Sequence, residues 1–212
     1  MIIAVDGPAA SGKGTLAGGL AGSFRLPHLD TGLLYRAVGV AAAPWENSSE
    51  FEARAIAAAE ALDAAHLDPD RLVNQEAGNL ASKVAVIAPV RKALFQFQRD
   101  FAKRPGGAVL DGRDIGTLIC PDADVKLFIV ADPRARAERR ARQFESRGQA
   151  VDREQLYAQI EQRDQRDRNN PNGGFFPASD AHLLDTTELD IEAALRAAVR
   201  IVEEAMTRKA KL

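Results

Sequence analysis

The densest chemistry in the chain lies near its start, in Gly7-Pro8-Ala9-Ala10-Ser11-Gly12-Lys13-Gly14-Thr15. The spacing is G-x-x-x-x-G-K. Its glycines allow a loop whose backbone N–H groups converge on phosphate oxygens. A helix starting there adds the positive end of its dipole, and the Lys13 ammonium can reach β- and γ-phosphates. The hydroxyl that usually follows this lysine is delayed by Gly14 to Thr15, a candidate ligand of magnesium, directly or through water. A dinucleotide fingerprint fits less well, because Gly12-Lys13-Gly14 is followed by Gly18 rather than by a glycine one residue earlier.

A phosphate loop points to a nucleoside triphosphate but leaves open transfer, hydrolysis or switching. None of the seven lysines follows an asparagine, so an Asn-Lys-x-Asp guanine reader is missing and a GTPase switch is disfavoured. Asp111-Gly112-Arg113-Asp114 follows the apolar run 108–110. That puts two carboxylates and a guanidinium at the C-terminal edge of a sheet, where open α/β folds bind ligands. Asp111 is a candidate to orient a metal shell, and Arg113 and Asp114 to face an acceptor; a turn held by Asp–Arg pairing is the alternative.

Ten of the twenty-one arginines fall between Arg134 and Arg168, with seven acids and no lysine. Arg163 and Asp167 are four apart on a helix, as are Asp164 and Arg168. They read either as two surface ion pairs worth roughly 0.2–0.5 kcal/mol each or as part of a lid that carries arginines over phosphoryl charge. Arg136, Arg139 and Arg140 either flank a triphosphate or form a solvated helix face. The lone cysteine, Cys120, allows no intrachain disulfide and reads as a small buried hydrophobe.

The elements that must position these groups alternate. Residues 1–5 form an apolar strand, and Leu16, Leu20 and Phe24 mark a helix from Lys13 that Gly18, Gly19 and Gly22 weaken but allow to pack closely. Residues 26–29 read as a short strand, and Asp30 or Thr31 as the cap of a helix that Pro44 ends. Residues 50–66 are helical in character and 67–77 loop-like; 80–88 and 90–101 form two helical pieces divided by Pro89. Strands follow at 108–110, 125–130 and 182–185, and helices after Asp132-Pro133, over about 152–168, and over 191–206. The turn residues 169–174 could hinge a lid.

This alternation predicts an α/β fold with a parallel sheet. At 212 residues the chain suits one domain. With 46% hydrophobic and 27% charged residues it is neither disordered nor collagenous nor built on disulfides. A formal charge of −2 offers no diffuse grip on nucleic acid or anionic membrane. No basic leader or long apolar run is visible, so a cytoplasmic protein is expected, and a monomer is taken as the default.

Five ordered blocks carry a resemblance. They are residues 7–15 with the extra Gly14; Leu29-Asp30-Thr31-Gly32 with Tyr35-Arg36; Ala81-Ser82-Lys83-Val84-Ala85 with Val90-Arg91; Asp111-Gly112-Arg113-Asp114-Ile115-Gly116-Thr117; and Arg163-Asp164 with Asp167-Arg168. In these the chain resembles the bacterial cytidylate kinases, P-loop nucleoside-monophosphate kinases, from Ile2 to the closing helix. The resemblance implies a three-layer α/β/α P-loop kinase domain over 1–212, with core segments 1–43, 102–145 and 178–212. It also implies a reduced monophosphate-binding region over about 44–101 and a helical lid over about 146–177. It implies ATP and Mg2+, with CMP or dCMP as acceptor. Residues 7–15 would hold ATP, with Thr15 and Asp111 toward the metal. Asp30, Ser82, Arg91, Arg113, Asp114, Arg163 and Asp167 would line the acceptor pocket, with Ser82 and Asp114 reading the cytosine edge and Asp167 the sugar. Arg91, Arg113 and Arg163 would hold the phosphate or bridge to the triphosphate, and Lys13, Arg113 and Arg163 would carry catalysis.

Two departures stand out. The family commonly places an arginine two residues after Arg168, where this chain has Asn170, and the stretch 64–79 is shorter than the β-rich insert of many members. The alternatives to a CMP kinase are a P-loop kinase of another small acceptor, such as AMP, UMP or a metabolite, and a nucleotide-binding regulatory protein.

Overall fold

The computed structural model describes residues 1–63, 67–146, 148–169 and 175–210. The chain divides into two compact units, residues 1–28 with 105–212, and residues 29–104. Five strands, β1 (Ile2–Asp6), β2 (His28–Asp30), β3 (Ala108–Gly112), β4 (Val125–Val130) and β5 (His182–Asp185), form one sheet in the order β2-β3-β1-β4-β5. β1 runs parallel to β3 and β4, and β4 parallel to β5. The apolar runs of β1, β3 and β4 have the sequence of strands buried on both faces, as parallel sheets require.

In the first unit, one face of the sheet is covered by α1 (Lys13–Phe24) and α9 (Ile191–Lys209). Leu16, Ala17, Leu20 and Ala21 of α1, with Ala194, Ala198 and Val202 of α9, close over Ile3, Val5, Val109, Leu127 and Ile129. Gly19 is the reason α1 and α9 approach so closely: a Cβ there would stand 2.7 Å from Leu195 Cδ1. Of the three α1 glycines expected to permit close packing, Gly19 is the one in this contact. Two further helices, α7 (Pro133–Glu145) and α8 (Arg153–Arg168), bury Ala137, Ala141 and Phe144 against Leu156 and Ile160.

Among its described residues the second unit is helical beyond β2. It contains α2 (Thr31–Ala42), a 3-10 turn at Ala43–Trp45, α3 (Phe51–Glu60), α4 (Pro69–Leu72), α5 (Gln75–Val84) and α6 (Ala88–Ala102). α2 packs on α5 and α3, and α3 on α6. At Gly39 a Cβ would lie 2.8 Å from the Leu80 carbonyl carbon, so α2 and α5 touch backbone to backbone.

Several expectations need correction. Residues 67–77 are not a loop throughout. Pro69 opens α4, its fixed φ and missing N–H suiting a first turn, and Asn74 caps α5 by accepting the Ala77 N–H at 2.8 Å. The break between the next two helices falls at 85–87, and Pro89 lies inside the first turn of α6 rather than dividing the pieces. β1 and β2 lie one or two residues later than their apolar runs suggest, and β3 extends through Asp111 to Gly112. A π-helical turn at Ile115–Ile119 has no counterpart in the sequence reading. Asn170 and residues 171–174, which carry the hinge reading and the departure at position 170, lie outside the described residues, as do Arg147 and residues 64–66 at the end of the helical reading of 50–66. Among the described residues no helix is long and apolar enough to cross a membrane.

Candidate functional site

Loop 7–12 leaves β1 and turns into α1. Gly7 is required by close approach, since a Cβ would meet the Ile129 carbonyl oxygen at 2.6 Å. Gly12, the residue before α1, has φ 85°, a left-handed conformation that glycine adopts without strain. Ala10 accepts the same region at φ 59°. The N-cap residue of α1, Gly12, has no side chain with which to cap the helix, and the positive end of the helix dipole faces the loop. The Ser11 hydroxyl is buried with no hydrogen-bond partner, an orphaned donor inside a cradle of phosphate-loop geometry. A phosphate group fits these donors.

Strand alternation sends the two carboxylates near the loop to opposite faces of the sheet. Asp111, paired in register with Val5, lies on the α1 face. It is 2% exposed, contacts His28 Nε2 through Oδ2 at 2.7 Å, and its carboxylate lies 3.9 Å from where a Cβ on Gly14 would stand. Thr15 is exposed in the first turn of α1. These two hard oxygen donors beside a phosphate loop suit magnesium, which keeps water and phosphate as its main ligands.

Asp6 lies on the other face, in register with Gly112 and Phe128. Its Oδ1 accepts the Ile115 N–H at 2.8 Å and its Oδ2 the Gly116 N–H at 2.7 Å. Burial pushes its carboxyl up to about 7 from an ordinary 3.8; the two N–H bonds and Lys13 oppose that rise, and the negative charge of Asp114 adds to it. Between about pH 4 and 7 Asp6 therefore holds, in the fold, a proton that the unfolded chain has released, and above that range it is a carboxylate. Its contribution to stability falls as pH rises from about 4 to about 7, by up to ~1.4 kcal/mol per pH unit. Asp180, held down by Lys126, and Asp185, held down by Thr187, act the other way, but only at the acid end, as pH falls below about 4. Urea midpoints between pH 4 and 7 are expected to fall more steeply for the wild type than for Asp6→Asn; parallel curves would contradict this.

Arg113 ion-pairs with Asp167 at 2.5 Å, and its guanidinium lies 5.4 Å from the Phe175 ring centroid, which in turn is 5.4 Å from that of Phe128. The turn after β3 and the last turn of α8 are thereby joined, uniting Arg113 with Asp167. Asp114 and Arg163 are half-buried. Asp164 is 5% exposed, so it is not the surface group its spacing allows. It takes two bonds from Arg136, at 3.1 and 2.5 Å, while Arg136 also donates to the carbonyls of Ala9 and Ala131. Arg136 is thus neither a solvated residue nor a triphosphate contact: it braces the phosphate loop from behind. Arg139 donates to the carbonyls of Thr186, Thr187 and Leu189, and Arg140 to Gln143.

In the unit 29–104, Asp30 occupies the N-cap position of α2 without a side-chain cap bond and stands 4.0 Å from Arg36. Gly32 leaves room for it, since a Cβ there would lie 2.9 Å from its Oδ1. Ser82 bonds back to the Gly78 carbonyl at 3.1 Å on α5, and Arg91 is half-buried on α6.

The residues that sequence reasoning missed are Asp6, His28, Phe175 and the Arg136–Asp164 pair. For Asp6 a signal was present: a carboxylate ends an apolar strand immediately before the loop.

A family model for cytidylate kinase matches residues 3–204. The cytidylate kinase of Afipia carboxidovorans is 53% identical over 205 residues, covering 97% of this chain and 98% of its own. That of Nitrobacter winogradskyi is 52% identical over 211 residues, spanning 100% of both. Among solved structures, an uncharacterized protein from Eubacterium ventriosum shares the fold, with TM-score 0.55 at 16% identity over 96% of this chain and 98% of that one. A phosphate loop with the additional Gly14, the Arg113–Asp114 turn on the neighbouring strand, and end-to-end likeness to such relatives lead to one assignment: the chain belongs to the cytidylate kinase family.

Proposed function

We propose that the protein transfers the γ-phosphoryl group of MgATP to CMP or dCMP, giving ADP and CDP or dCDP. The observation that carries this reading is the pairing of β1 with β3 in parallel register, Asp6 beside Gly112. It sets the phosphate loop and the Arg113–Asp114 turn side by side at one end of the sheet. An oxygen of the acceptor phosphate attacks the γ-phosphorus, and the bond to the β–γ bridging oxygen breaks, leaving ADP. That oxygen is already anionic, so the protein's task is alignment and charge stabilisation rather than deprotonation.

Loop N–H groups and Lys13 hold the β- and γ-phosphates. Arg113 and Arg163 gather charge on the acceptor phosphate and on the group in flight, and lid residues exclude water. Thr15 and Asp111 would hold magnesium, directly or through water, and the ion when bound would neutralise charge on the phosphates. Asp114 accepts from the exocyclic amine of cytosine, Asp167 contacts the sugar, and Asp30, Ser82 and Arg91 contribute further acceptor contacts from their own unit.

Asp114→Asn tests the base-reading role. It puts an NH2 donor where an acceptor is needed, facing the cytosine amine and favouring the uracil carbonyl. The CMP/UMP ratio of kcat/KM is expected to fall by about tenfold or more; an unchanged ratio would reject the role.

A further inference from the structure

Asp6 is the last residue of β1, and Gly7 of the phosphate loop follows it directly; Ile115 and Gly116, whose N–H groups it accepts, directly follow Asp114. One buried side chain therefore spans from the base of the donor loop to the segment that presents Arg113 and Asp114. We propose that Asp6 is a positioning residue that fixes the acceptor-reading pair Arg113–Asp114 in register with the phosphate loop. This inference rests on the reading of Arg113 and Asp114 given above.

Three observations support it. The two N–H groups open the π-helical turn Ile115–Ile119, and the first N–H groups of a helical turn have no acceptor within it, so the carboxylate fixes where that turn begins. The grip uses both oxygens, one on each of two successive peptide groups, which sets the turn's orientation as well as its distance. The turn is also pressed onto its support: a Cβ at Gly116 would stand 3.4 Å from Asp6 Oδ2 and 3.2 Å from Lys126 Cδ.

The test uses the whole protein as wild type, Asp6→Asn and Gly116→Ala, at about pH 8, where Asp6 is ionised, with MgATP, CMP and UMP, and with amide hydrogen exchange at Ile115 and Gly116. In Asp6→Asn one of the two N–H groups faces an NH2. KM for CMP is expected to rise about tenfold or more, more than kcat falls; CMP/UMP discrimination shrinks, KM for ATP changes little, and exchange at the two amides quickens. Gly116→Ala, whose Cβ would crowd the same carboxylate and the Cγ and Cδ methylenes of Lys126, shifts the same quantities in the same direction by less. If Asp6→Asn does not fold, Gly116→Ala decides alone. Unchanged CMP KM and selectivity in a folded variant overturns the inference, as does an equal rise of KM for ATP and CMP, or unaltered exchange at the two amides. Failure of the wild type to use CMP would instead remove the functional reading, and the exchange measurement would still judge the grip.

Discussion

Replacing Lys13 by alanine is expected to lower kcat for CMP phosphorylation by on the order of 10²–10³-fold, as for other preorganised donors to a reacting anion. Lys13 is the first residue of α1, where its charge opposes the helix dipole, and alanine is the best helix former, so the helix has no reason to fail. The core beneath it, Leu16, Ala17 and Leu20, is untouched. The unfolding midpoint should therefore stay within about 0.5 kcal/mol of wild type, which separates lost chemistry from lost fold. Full turnover in a folded Lys13→Ala protein would remove the phosphate loop from the mechanism.

Arg136→Ala is expected to have the largest effect on stability. It leaves Asp164 buried without its partner and the Ala9 carbonyl without its donor. Breaking a buried pair from one side costs about 3–5 kcal/mol, and at this chain length that lowers the melting temperature by roughly 6–20 °C. Replacing both members by apolar residues of similar size, Arg136→Met with Asp164→Leu, should recover much of the loss, because no uncompensated charge remains. Arg136→Lys should not, since an ammonium cannot make the paired bonds to Asp164 and still reach Ala131 and Ala9. Melting curves of the three variants check this; equal destabilisation by the single and the double replacement would show that the two charges do not depend on one another.

Those residues also mark where the sequence could be read and where it could not. The phosphate loop, β4, β5 and α8 were legible because their signals are local: a motif of nine residues, an apolar run, and an Asp152 that caps by accepting the Gln155 N–H. Arg113 and Asp114 were legible as a charged turn closing a strand. The side chains that organise the site were not, because their partners are distant in sequence. Asp6 meets Ile115 109 residues away, and His28 meets Asp111 across 83. Asp164 illustrates the limit of helical spacing. Four residues before Arg168, it has the position of a surface ion pair, yet it is buried on Arg136 of another helix. Periodicity gives the face of a helix but not what lies against it. The helix at 69–72 was hidden for a different reason, since a four-residue segment is too short to show a period.

The central claim is phosphoryl transfer to a cytidine monophosphate, and ADP release from MgATP measured side by side with CMP, dCMP, UMP, AMP and no acceptor tests it most directly. The account predicts ADP formation that depends on the acceptor and is faster with CMP or dCMP than with UMP or AMP. ATP binding without acceptor-dependent ADP, or equal rates across the panel, would contradict it.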